Sequence, residues 1–361
     1  MKARLTGAAI GATLLAVALS ATTTQAAAPI TGHNPLRVGM FAAGNGMVEV
    51  TLTNTSAKSV RVPRWALPAQ LPSQKIFNVQ RDGEAVAYEG PMIKRGLPTA
   101  ADFAVLRPGQ SYRTMVDLGA SYDMRKSGQY TVTLASAMQY ASLTGGTRLK
   151  TPQGLPLMLQ SAPISFWSAG RGSAPLGKGK PGGGGGGTVV NGVSYVGCSD
   201  TQITGAGRAV IDARAYAENA KGYLSANNQG PRYTTWFGAY TNQRYGTASQ
   251  HFVAIDSAID QSGGQIKVNC GCNQSYYAYV YPTKPYEIFV CRAFWSAPAT
   301  GTDSKAGTLI HEMSHFNAVA GTDDHVYGQS GAKNLAISNP DSALDNADNH
   351  EYFAENTPSQ N

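Results

Sequence analysis

Cysteine is missing before position 198 of this 361-residue chain, and all four, Cys198, Cys270, Cys272 and Cys291, lie in the C-terminal half. They contain no C-x-x-C pair, which argues against a four-cysteine zinc cluster. Cys270 and Cys272 flank only Gly271 and are poor partners for each other, so two of the three pairings open to four cysteines remain. Long apolar runs are also missing. A short one near the N-terminus holds Leu14, Leu15, Val17 and Leu19, follows Lys2 and Arg4, and gives way to small residues up to Ala26 and Ala27. That pattern is a secretory signal peptide over 1–27, too short for a membrane span and followed by no stop-transfer segment. The expected destination is secreted and extracellular, where disulfides persist.

Acidic residues are scarce in the first half. Residues 1–180 hold 19 Lys+Arg against 7 Asp+Glu, a balance of +12, whereas 181–361 hold 10 against 15, a balance of −5, so the overall +7 hides two halves of opposite sign. The basic residues are scattered, with no basic helix or aromatic-basic repeat, which excludes nucleic acid as the expected partner. Opposite charges on the two halves favour their docking within one molecule, as a monomer. Between them, Gly170 to Gly187 reads G-R-G-S-A-P-L-G-K-G-K-P and then six glycines, a composition that buries no core and predicts a tether. The expected divisions are a signal peptide at 1–27, an N-terminal domain at 28–168, a linker at 169–188 and a second domain at 189–361.

What is present before the linker reads as strands. Val48, Val50 and Leu52 alternate, as do Tyr130, Val132 and Leu134, and L-R-P-G-Q-S-Y (106–112) and K-S-G-Q-Y (126–130) resemble turns feeding strands. An all-β, Ig-like sandwich is expected there. After the linker the pattern is α+β: Asp200 to Ala226 and Thr247 to Ile259 have helical periodicity, and Ile266 to Cys291 reads as an antiparallel ribbon in which Tyr276 to Tyr281 is a candidate edge strand for an extended peptide.

His311-Glu312-Met313-Ser314-His315 carries the chemistry. Ala306, Leu309, Ile310, Met313 and Phe316 recur at helical steps, and Asp303 or Ser304 offers an N-cap. Residues i and i+4 share a helical face, so His311 and His315 can grip one ion while Glu312 reaches a water beside it. A catalytic zinc takes three protein ligands and keeps a fourth position open. Position 321, where a metzincin pattern needs its third histidine, is Gly, expected to end the helix in a left-handed turn; a thermolysin-like pattern needs a glutamate, and the first after Glu312 is Glu351. By charge and reach the third ligand is Asp323, Asp324 or His325.

H-E-x-x-H followed by G-T-x-D-x-x-Y-G resembles the aspzincins, the deuterolysin-like metalloendopeptidases. P-R-Y-T-T-W-F-G (231–238), A-Y-V-Y-P (278–282), A-F-W-S-A-P-A-T-G-T-D-S (293–304) and N-A-D-N-H-E-Y-F (346–353) bring it nearest the peptidyl-Lys branch. The resemblance implies a zincin fold, one zinc ion held by His311, His315 and Asp324, Glu312 as the base in peptide hydrolysis, and Tyr327 as the residue that holds the oxyanion. It pairs Cys198 with Cys270 and Cys272 with Cys291. It also implies that Asp348 and Glu351, three apart on a helix expected to start at Asn339-Pro340, accept a substrate lysine on the C-terminal side of the cut bond; spacing alone favours a solvated acidic face.

On this reading the substrates are proteins or peptides, and the basic N-terminal domain is a propeptide that assists folding and covers the cleft. An exported adhesion or substrate-binding module is the competing reading for that domain, and a deuterolysin-like protease of broader preference or a silent exported binding protein for the whole. Lys178 and Lys180 in the linker offer cleavage sites for self-release. The Met92-Ile93-Lys94-Arg95 stretch, taken as exposed, could lend Lys94 to the cleft as a pseudo-substrate.

Overall fold

A computed structural model describes residues 34–171 and 187–361. The expected signal peptide, most of the Gly-rich linker, and Lys178 and Lys180 lie outside the described residues.

The N-terminal region is β-rich. Its strands are β1 (Leu36–Gly44), β2 (Met47–Asn54), β3 (Val60–Pro63), β4 (Phe77–Arg81), β5 (Glu84–Ala85), β6 (Met92–Lys94), β7 (Phe103–Leu106), β8 (Ser111–Asp117), β9 (Gly128–Ala137), β10 (Ser142–Leu143), β11 (Met158–Gln160) and β12 (Ile164–Ser168). They form small sheets ordered β1-β2-β8, β10-β3-β7 and β11-β9-β4-β5, with β12 also paired to β9. The period-two alternation decides which face turns inward: Val48, Val50 and Leu52 of β2 and Tyr130, Val132 and Leu134 of β9 are all buried. Strand β6 belongs to none of these sheets.

The C-terminal half is α+β. In chain order it runs β13 (Thr188–Val190), β14 (Val193–Val196), α1 (Asp200–Ser225), α2 (Pro231–Phe237), α3 (Asn242–Ile259), β15 (Lys267–Asn269), β16 (Ala278–Val280), β17 (Glu287–Val290), α4 (Arg292–Ser296), α5 (Lys305–His315), α6 (Gly328–Ser338), α7 (Pro340–Leu344) and α8 (Ala347–Glu355). Its sheet is ordered β13-β14-β15-β17-β16-β6, so the N-terminal region supplies the edge strand. The ribbon expected over 266–291 is mixed: β15 runs parallel to β14 and β17, and only β16 is antiparallel to β17. A parallel neighbour follows from the long helical crossover that separates β14 from β15. Disulfides join Cys198 to Cys270 and Cys272 to Cys291.

Helix α1 begins with a reciprocal cap in which Ser199 Oγ accepts from the Gln202 amide and Gln202 Oε1 accepts from the Ser199 amide. Its buried stripe of Ala206, Ala209, Ala213, Ala217 and Ala220 is small enough to admit α3 and α5 closely. Helix α5 is buried along almost its entire length, from Ala306 through His315. Ser304, not Asp303, caps it: Ser304 Oγ accepts from the Gly307 amide at 2.8 Å, and Glu355 Oε1 accepts from the Ser304 amide at 2.9 Å and its hydroxyl at 2.8 Å. A Cβ at Gly307 would collide with the Glu355 carboxyl. Gly307→Ala is therefore expected to destabilise the protein by about 1–3 kcal/mol, read as a drop of several degrees in Tm, and an unchanged melting curve would remove the close fit between α5 and α8 from the account.

Candidate metal centre

The imidazoles of His311 and His315 leave α5 one turn apart, with their Nε2 atoms 3.1 Å from each other. Asp324 Oδ1 lies 3.3 Å from His311 Nε2 and 3.5 Å from His315 Nε2. Ligand atoms about 2.0–2.1 Å from a tetrahedral zinc stand about 3.3 Å from one another, so these three donors fit that ion. Both oxygens of Asp324, in a buried side chain, lack a hydrogen-bond partner, a costly arrangement unless a cation completes it. Burial alone would raise the Asp324 carboxyl, but the neighbouring His315 and His311 imidazoles outweigh it and hold the group well below the usual carboxylate range.

The loop after α5 places Asp324 beside the two imidazoles. The helix stops at Phe316, whose backbone is extended, and not at Gly321. Gly321, at φ +64°, instead closes a turn five residues later with its amide on the Phe316 carbonyl. Thr322 then ties back to the helix: its amide donates to the Ser314 carbonyl at 3.1 Å, and its own carbonyl lies 2.7 Å from His315 Nδ1. With Nδ1–H donating to that carbonyl, His315 turns the lone pair of Nε2 toward Asp324. The other candidates point elsewhere. Asp323 Oδ2 pairs with Lys75 at 2.6 Å, and His325 Nε2 with Asp345 Oδ2 at 2.8 Å.

Glu312 is fully buried, and neither of its carboxyl oxygens has a hydrogen-bond partner. Burial pushes its carboxyl up to about 7, against the pull of the two imidazoles. Tyr327 is also buried, and its hydroxyl donates to the Ile93 carbonyl at 3.0 Å. Gln139 holds the Tyr327 backbone from the leader, accepting from its amide at 2.8 Å and donating to its carbonyl at 2.6 Å.

Asp348 and Glu351 do not share the helix that Asn339 starts. Asn339 caps only α7, which ends at Leu344, and α8 begins afresh after Asn346. Asn346, with an extended backbone (φ −107°, ψ 122°), separates the two helices, and its Oδ1 accepts from the His325 and Val326 amides, at 2.8 and 3.1 Å. The two carboxylates still face the same way, and neither is solvated. Lys94 of β6 reaches between them: its Nζ stands 2.5 Å from Glu351 Oε2 and 3.6 Å from Asp348 Oδ1. The 92–95 stretch is buried, not exposed, because β6 pairs antiparallel with β16, Lys94 opposite Ala278 and Ile93 opposite Tyr279. Burial opposes the Lys94 charge, but Asp348 and Glu351 outweigh it and keep the ammonium protonated. On the other side, His311 Nδ1 lies 2.8 Å from Asp348 Oδ1 and 3.3 Å from Glu351 Oε2, out of line for hydrogen bonds.

Several contributors carry no sequence signal. Gln139 and Lys75 come from a different domain, Thr322 acts through its backbone, and Glu355 supports α5 from 51 residues away in the chain. Asp303, which the sequence offers only as a cap, has its Oδ1 3.6 Å from Lys94 Nζ.

The aspzincin family model described as lysine-specific metallo-endopeptidase matches residues 223–355. An extracellular protease of Aeromonas hydrophila is 42% identical over 321 residues, spanning 87% of this chain and 89% of its own. A peptidyl-Lys metalloendopeptidase of Grifola frondosa is 35% identical over 334 residues, spanning 88% of this chain and 89% of its own. One of Pleurotus ostreatus is 50% identical over 167 residues, 46% of this chain and 98% of its own length.

If Asp324 completes the ion site, Asp324→Ala lowers zinc affinity by at least about a hundredfold in competition with a chelator, while Asp323→Ala leaves one tightly held zinc. Equal zinc retention by both variants would exclude Asp324 as a ligand.

Proposed function

The chain belongs to the aspzincin family and is a zinc metalloendopeptidase, and from that premise we propose that it cuts on the N-terminal side of lysine and is made as a secreted zymogen whose leader fills its own cleft. Lys94 carries this reading. A lysine on an extended strand, paired to the catalytic sheet, buries its ammonium against Glu351 and Asp348. The preceding carbonyl, that of Ile93, accepts from Tyr327. A substrate strand laid along β16 in the same direction puts a lysine in the same pocket and the bond before it beside Glu312 and Tyr327. The peptidyl-Lys names of the Grifola and Pleurotus relatives agree with this preference.

His311, His315 and Asp324 would hold the zinc, which when bound supplies Lewis-acid polarisation of the scissile carbonyl and a more acidic water. Glu312 takes a proton from the attacking water on one free carboxyl oxygen and returns it to the leaving amine. A carboxyl raised by burial suits both halves of that shuttle. The Tyr327 hydroxyl donates to the oxygen on which negative charge develops, once the Ile93 carbonyl has left.

The leader, read as an Ig-like propeptide over 28–168, holds the cleft at several points. Lys75 pairs with Asp323, Gln139 clasps Tyr327, and the Arg95 guanidinium stacks 4.8 Å from the Tyr276 ring centroid. These contacts give the opposite charges of the two halves a local form. Release follows cleavage in the linker at 169–188, before Lys178 or Lys180, leaving a catalytic domain at 189–361 with a short N-terminal extension. No helix among the described residues is long and apolar enough to cross a membrane.

Glu312→Gln is expected to bind zinc at one per chain, to lose at least about a thousandfold in turnover, and to remain full length. N-terminal sequencing of the wild-type product should begin at Lys178 or Lys180. Maturation of the Glu312→Gln protein at the same bond in pure form would contradict self-processing. Digestion of a defined protein should give peptides beginning with lysine, and a chelator should abolish them; cuts without residue preference would favour a broader deuterolysin-like enzyme.

A further inference from the structure

We infer that Asp303 and Tyr277 form the outer half of the site for the substrate's lysine side chain, adding a third carboxylate and an aromatic face to the Asp348 and Glu351 pair. This rests on the lysine preference proposed above and uses Lys94 as the stand-in for the substrate residue.

The ammonium of Lys94 has more around it than the α8 carboxylates. Asp303 Oδ1 lies 3.6 Å from its Nζ, the same distance as Asp348 Oδ1. The Tyr277 ring centroid lies 5.1 Å from Nζ, within the range of a cation–π contact. Tyr277 also donates its amide to the Lys94 carbonyl at 3.0 Å, so one residue holds both the backbone and the charge of the lysine. Asp348 and Glu351 are closed off from solvent at the inner end, whereas the Asp303 side chain is 41% exposed, which sets it at the mouth.

Asp303 is held in this pose by its neighbours. Its backbone adopts φ +53°, a left-handed conformation that side-chain-bearing residues rarely take. The Glu355 carboxyl accepts from its amide at 3.2 Å, and the Tyr352 hydroxyl donates to its Oδ1 at 2.7 Å. That leaves the carboxylate aimed at the lysine, with no cap to make, since Ser304 takes that role. A strained residue fixed from two sides and directed at a bound cation has the arrangement of a recognition group. A compact ammonium on a four-carbon stem fits among three carboxylates and a ring; a neutral side chain of the same length gains nothing from Asp303.

The test compares peptides with lysine or methionine after the scissile bond, using enzyme obtained from the full chain. Asp303→Asn suits it because asparagine accepts the left-handed backbone. The variant is expected to raise KM for the lysine peptide about threefold to tenfold with little change in kcat, and to leave the methionine peptide unchanged, so the preference narrows by the same factor. Tyr277→Leu, on a separate element, should narrow it about threefold. Zinc content and melting temperature check that each variant is intact. A lysine-preferring wild type whose preference survives both substitutions, or variants that lose the two peptides equally, would overturn this pocket and leave the lysine preference standing. A wild type indifferent to lysine would overturn both.

Discussion

A charge buried away from water must be met by opposite charge, and in this protein that rule is satisfied between the N-terminal β-rich region and the C-terminal α+β half. Lys94 comes from the β-rich leader, and Asp348 and Glu351 come from the last helix of the catalytic half. Without Lys94 or a replacement, two buried carboxylates face each other with Asp348 Oδ1 and Glu351 Oε1 lacking hydrogen-bond donors. Repulsion within such a pair is relieved by a cation and by little else in a dry pocket. Pairing of β6 with β16 supplies one in Lys94. Under the function proposed above, the same demand would favour a lysine from another chain.

The pocket and the metal centre are one electrostatic unit. His311 presents Nε2 to Asp324 and turns Nδ1 toward Asp348 and Glu351. Burial opposes a charge on the His311 imidazole, but Asp324, Asp348 and Glu351 outweigh it and raise its basicity. The acidic pocket and the His311–His315–Asp324 cluster therefore share one residue, His311. Helix α5 bears this load because it is rigid: it is capped by Ser304, braced by Glu355, and buried from Ala306 to His315.

The parts of this arrangement that were legible in the sequence are those written in local order. The spacing of His311 and His315, the alternation of β2 and β9, and the alanine stripe of α1 each encode a face, and a face needs only the period of one element. Asp324 could be ranked over Asp323 and His325 only through the motif that follows the helix, because three adjacent polar residues on a loop have no period to separate them. The break before α8 was hidden for a different reason: Asn339 caps α7, whereas the Asn346 side chain caps nothing and serves two backbone amides 20 and 21 residues away in the chain. The 92–95 stretch looked exposed since a lysine and an arginine suit a surface, and only the pairing of β6 with β16 and the acidic pocket around Lys94 explain its burial. Asp303 left no trace, as its role depends on Tyr352, Glu355 and a lysine from another domain.

The most direct measurement is activity of the unprocessed chain. With Lys178 and Lys180 both replaced by serine to block release in the linker, the protein is predicted to be silent toward a short lysine peptide. Adding Lys94→Met, which keeps the length of the side chain and removes its charge, is predicted to raise that activity at least about tenfold as the leader loses its hold on the pocket. Equal activity of the two proteins would contradict the claim that a buried lysine of the leader closes the cleft.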